Sequence, residues 1–119
     1  MRVESRYGHP SSPVKRGRIE GTDVCLLARH GRQHTIPPSQ VNYRANIDAL
    51  RSLGCTHIVT TTAVGSLREE IRPGDLAILD QLIDFTRHRK VTFYESFEPG
   101  NPQHVSTADP FSAELRSLL

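Results

Sequence analysis

Two apolar runs with a helical pattern between them leave this chain few architectures. Val24 to Ala28, "VCLLA", is short, continuous and apolar, as in a strand buried on both faces. Pro37-Pro38-Ser39 then opens a helix with Ser39 as its N-cap, and Val41, Ala45, Ile47, Ala49, Leu50 and Leu53 recur at near-helical spacing. Gly54 stands where a left-handed stop belongs. "CTHIVTTTAVG", β-branched and ended by Gly65, reads as a second strand. A polar connection with a Pro73-Gly74 turn leads to a third, "LAILDQLIDF". Strand, helix, strand with short connections predicts an α/β fold with a mostly parallel sheet and flanking helices.

The remainder is less regular. Residues 1–20 hold Gly8, Pro10, Pro13 and Gly17, and predict an irregular lead-in with a short hairpin through "VKRGRIEGTDV" turning at Gly21. Thr86 to Thr107 reads as a long polar loop, and Asp109-Pro110 as the cap and first position of a last helix. At 119 residues the expectation is one domain, with an aliphatic core and no Trp. A net charge of +2 is too weak to argue for nucleic acid. Cys25 and Cys55 form no C-x-x-C pair and read as two buried, reduced thiols. The opening residues carry no apolar signal stretch, and no run nears the ~20 apolar residues of a membrane span, so a cytoplasmic chain is expected.

The first strand ends in "LARHGRQH", Leu27 to His34, with two arginines and two histidines within six residues. In α/β units ligands gather at the carboxyl ends of parallel strands. The second strand ends in Thr60, Thr61, Thr62 and Ala63. Arginine offers a planar fork to phosphate or carboxylate, histidine and threonine add donors, and the backbone around Ala63 can turn N–H groups to an anion. Three readings stand on the residues alone: an oxyanion cradle, a solvated loop, or a metal site using His30-x-x-x-His34. The last needs a helix, which Gly31 and the nearby prolines oppose, and an acidic third ligand that is not close by. "TRHRK", Thr86 to Lys90, reads as a solvated loop, and "LREE" as surface ion pairing. Asp80 and Asp84 fall on one strand face, with a structural or subunit-contact role.

Taken together, "LLARHGRQHTIPPSQVNYRANIDAL", "TTTAVGSLREEIRPGDLAILDQLIDFT" and "FYE…HVSTADPF" resemble the methylthioadenosine phosphorylases of the purine nucleoside phosphorylase family, from about Tyr7 onward. The resemblance implies a single partial nucleoside-phosphorylase domain over residues 1–119. It implies phosphorolysis of S-methyl-5′-thioadenosine to adenine and 5-methylthioribose 1-phosphate, with phosphate as co-substrate and no cofactor. It places phosphate on Arg29 and His30 and on Thr62 and Ala63, which favours the cradle. It places His34, Asn42 and Tyr43 in or near the substrate site. His104 matches a histidine that reaches a neighbouring subunit's site, implying a trimer or a hexamer of trimers. Family members begin with a strand and a glycine-rich loop that carries a further phosphate-binding Thr. They continue into strands bearing purine-binding Asp residues and a ribose-contacting Met, whereas the one Met here is Met1. The expectations are therefore a fragment of such an enzyme, a chain completed by a second polypeptide, or a non-catalytic anion-binding module. Preference between methylthioadenosine, methylthioinosine and other purine nucleosides stays open. No nucleic-acid or membrane partner is implied.

Overall fold

The computed structural model describes all residues from Met1 to Leu119. The chain divides into two compact units, one of residues 1–59 with 88–93, the other of residues 60–87 with 94–119.

In the first unit, β1 (Lys15–Ile19) and β2 (Thr22–Leu26) form an antiparallel hairpin in which Gly17 faces Val24 and Ile19 faces Thr22. Glu20 and Gly21 form its two-residue turn, both at positive φ, 47° and 80°. That is the turn whose twist matches paired strands. The hairpin expected at Gly21 is present. The expected two-sided burial of "VCLLA" is not: β2 pairs only with β1, and Leu26 is 56 % exposed.

The next helix begins later than its spacing predicts. Pro37 and Pro38 fix a 3-10 turn over Pro38–Gln40, closed by a bond from Gln40 N to Pro37 O, and Val41 is extended. The α-helix α1 therefore runs Tyr43–Ser52, capped by Asn42 rather than Ser39: the Asn42 Oδ1 accepts from Ala45 N at 3.1 Å. Val41, Ala45 and Ala49, four residues apart, are buried with Val14. Past the helix Gly54 takes φ 86°. Gly54 N donates to Arg51 O and Cys55 N to Leu50 O, the paired bonds of a Schellman stop.

Side chains of α1 also order the lead-in, which was expected to be irregular. Asn46, buried, accepts from Ser11 N at 2.8 Å and donates to Ser11 Oγ at 3.0 Å. Asn42 Nδ2 donates to Tyr7 O at 2.8 Å, and Ser5 Oγ donates to Asp48 at 2.6 Å.

In the second unit, the regular element is α2 (Ala113–Leu118), capped by Ser112 and not by Asp109 as expected. The turn at Pro73-Gly74 is present, with Asp75 N donating to Arg72 O at 3.0 Å and the Asp75 carboxylate accepting from Arg72 N at 2.8 Å. The strands expected over "CTHIVTTTAVG" and "LAILDQLIDF" are not formed: the one sheet is the two-stranded hairpin, so the mostly parallel sheet is absent from this chain. A strand exists through ladder bonds to a neighbour, and without one its apolar face stays in water. Val64, Leu76, Ile83 and Phe85 are each at least 80 % exposed.

Candidate anion-binding site

Arg29 and His30 follow β2 after Leu27 and Ala28, and both are half-buried. Ser12, itself buried, fixes the chain just before them by accepting from Ala28 N at 3.0 Å. The backbone then folds tightly: Gly31 N donates to Ala28 O at 2.9 Å, His34 N to Gly31 O at 3.2 Å, and Ile36 N to His30 O at 3.0 Å. Gly31 sits at φ 79°, a region glycine enters without penalty. The run is a turn, as its glycine and prolines predicted.

Arg29 Nε donates to His30 Nε2 at 3.2 Å, while His30 Nδ1 lies 2.7 Å from Ile36 O. A carbonyl only accepts, so Nδ1 carries the hydrogen and Nε2 the lone pair. With both ring nitrogens engaged, His30 offers no free lone pair to a metal. The His30 and His34 rings stack at 4.7 Å between centroids, 29° from parallel. The terminal guanidinium nitrogens of Arg29 keep a forked edge suited to an oxyanion. An open depression of about 350 Å³ borders this turn, lined by Ser11, Ser12, Gly31, Arg32, Thr35 and Ile36 among others.

Among the other predicted site residues in this unit, Asn42 has both ends of its amide committed to Ala45 N and Tyr7 O. Tyr43 carries the Arg89 guanidinium over its ring at 4.8 Å, so Arg89 of the expected solvated "TRHRK" loop is half-buried on an aromatic face. A comparable stack that the sequence reading missed has Arg6 and Arg44 over Tyr7 at 4.8 and 5.0 Å. Neither partner was predictable from sequence spacing.

In the second unit, Thr62 and Ala63 are exposed on unpaired backbone. His104 is exposed, with its ring 6.5 Å from that of Phe97. Arg68 pairs with Glu70 at the surface, as read from "LREE"; the Glu70 carboxyl is lowered by a bond to its own backbone and then by Arg68. Asp80 lies 4.0 Å from Arg116, and Asp84 accepts from Thr86 N and Oγ1 at 2.8 and 2.6 Å. Cys25 and Cys55 are free and half-buried rather than buried. Burial and a bond from Cys25 push the Cys55 thiol up, against a smaller pull down from Arg16.

A turn that presents an arginine fork beside a tautomer-fixed histidine is suited to holding an oxyanion. The chain belongs to the phosphorylase superfamily, matching it over residues 2–119. It is 50 % identical over 119 residues to the S-methyl-5′-thioadenosine phosphorylase of Pyrococcus horikoshii, covering all of this chain and 45 % of that protein. Against the Xenopus tropicalis enzyme of that name it is 54 % identical, covering 98 % of this chain and 43 % of the relative. The methylthioadenosine phosphorylase of Schistosoma mansoni in complex with tubercidin superposes with a TM-score of 0.89 at 43 % identity, over 98 % of this chain and 43 % of that one. The chain thus has the α/β fold of these phosphorylases and spans less than half their length.

Proposed function

We propose that these residues form part of an enzyme that phosphorolyses S-methyl-5′-thioadenosine, and that they supply its phosphate cradle. The observation that carries the reading is identity of about half, over all or nearly all of the chain, to enzymes of that name. In the reaction a phosphate oxygen bonds to C1′ as the C1′–N9 bond breaks. The bonding pair leaves with adenine, which takes a proton, and 5-methylthioribose 1-phosphate forms. No cofactor is required.

Arg29 and His30 hold the phosphate with the hydroxyl of Thr62 and the backbone N–H of Ala63. Positioning the anion under C1′ makes attack effectively intramolecular. Its charge also stabilises the positive charge that grows on the ribose carbon. His34, Asn42 and Tyr43 border the nucleoside, and His104 reaches the site of an adjoining subunit in a trimer or hexamer. The exposed Val64, Leu76, Ile83 and Phe85 favour a single nucleoside-phosphorylase domain in which the two extended segments join a parallel sheet, completed by polypeptide matching the rest of the relatives' length. That polypeptide is either continuous with this chain or a complementing one. Reduced thiols fit a cytoplasmic setting, and no helix is long and apolar enough to cross a membrane.

The test is adenine release from S-methyl-5′-thioadenosine. The 119 residues alone are expected to show none above background. The same residues joined to the remaining sequence of the Pyrococcus horikoshii relative are expected to show phosphate-dependent release. Release that needs no phosphate, or none from a folded joined protein, would overturn the reading.

A further inference from the structure

The turn after Arg29 closes on itself around one imidazole. Residues 30 and 36 clasp each other twice: Ile36 N donates to His30 O at 3.0 Å, and the His30 ring donates through Nδ1 to Ile36 O at 2.7 Å. Between them His34 takes φ 55°, a left-handed conformation uncommon for a residue with a side chain. That conformation places its ring flat against His30 at 4.7 Å. Its backbone N–H is tied to Gly31 O. Unfavourable backbone geometry kept in place by neighbouring bonds is found where a side chain must be aimed.

We infer that His34 is a positioning residue: it acts on phosphate through His30, by stacking on the imidazole and holding it in the Nδ1–H tautomer with Nε2 turned to Arg29. The inference rests on the phosphate reading and departs from it in making His34 a support rather than a substrate contact. Nε2, whose lone pair is taken by Arg29, acts on the phosphate through that guanidinium and its free terminal nitrogens. Arg29 Nε, bonded to the same atom, is held in register with it. Ile36 contributes only main-chain groups to the clasp, so its side chain can vary. Gly31 is required for its positive φ, since an added Cβ there would meet the Ile36 side chain at an ordinary 3.5 Å.

The experiment is nitrogen-15 NMR of the histidine rings in the 119 residues joined to the remaining sequence of the Pyrococcus horikoshii relative, with inorganic phosphate titrated into wild type, His34→Ala and His34→Phe. The wild type should show His30 with hydrogen on Nδ1 and a lone pair on Nε2. His34→Ala should mix the tautomers and weaken phosphate about tenfold. His34→Phe, which keeps a flat ring for stacking and has no nitrogen, should retain both properties. Phosphate weakened in His34→Ala with the His30 ring unchanged would make His34 a direct ligand and overturn the inference. So would His34→Phe behaving like His34→Ala, or a wild-type His30 with its hydrogen on Nε2. The expected ring pattern with no response to phosphate would instead sink the phosphate reading and the positioning role with it, leaving the clasp as structure alone.

Discussion

Asn42 shows how one side chain can serve two jobs that sequence spacing does not announce. Its oxygen caps α1 and its nitrogen holds Tyr7 O, so Asn42→Ala removes both at once. A loss of about 1–2 kcal/mol is expected from the midpoint of urea unfolding. Asn42→Asp, which keeps the capping oxygen and loses the donor, should cost less; equal losses would mean that the cap contributes nothing. The Cys55 thiol is a second case. Burial raises it first and the Cys25 contact adds to that, so Cys25→Ala should bring the pH midpoint of Cys55 alkylation down, and an unmoved midpoint would remove Cys25 as a cause. The sign for stability follows: a thiol kept neutral by the fold contributes fully below the ordinary thiol range, and the contribution is lost as pH rises through the raised value. Arg29 and His30 could be read as candidate anion ligands because that chemistry is carried by residue type. The stack of His34 on His30 was not, because it depends on a left-handed backbone at His34.

At the scale of elements, what the sequence made legible was what short-range chemistry decides. Gly21 and Gly54 each mark a stop that needs positive φ, and both stops are where the residues put them. Gly54→Ala meets no atom within 4 Å, so its cost is backbone strain alone, about 1–2 kcal/mol in thermal or urea unfolding. No loss would mean that the Schellman stop is dispensable. The start of α1 was missed because Pro37-Pro38 stabilises a 3-10 turn that competes with an α-helical first turn. The start of α2 was missed for a similar reason of competing caps, Ser112 over Asp109. The two later strands failed for a different reason. "CTHIVTTTAVG" and "LAILDQLIDF" have strand composition, yet a strand needs a partner, and pairing is a property of the whole sheet rather than of its segments.

The whole molecule is short of interior. Four apolar residues are buried, Val14, Val41, Ala45 and Ala49, while Leu67, Leu76 and Phe85 stand almost fully in water. Exposed apolar residues on unpaired backbone favour association. The isolated 119 residues should therefore elute from size-exclusion chromatography as mixed larger species, and joining them to the rest of a relative's sequence should sharpen the profile. A single monomeric peak from the isolated chain would contradict this. Charge is also uneven. The unit with Arg29 and His30 has eleven Lys and Arg against four Asp and Glu, and the other has four against nine, so the net +2 conceals two opposed surpluses. A cationic surround raises the local concentration of anions at the Arg29 turn. Composition over the whole chain could not reveal this, because the division into units depends on the fold.

The most direct measurement is the phosphate dependence of adenine release in the joined protein, comparing wild type with Arg29→Ala. The account predicts that KM for phosphate rises by about tenfold or more while KM for the nucleoside changes little. Unchanged phosphate dependence, with activity intact, would contradict it.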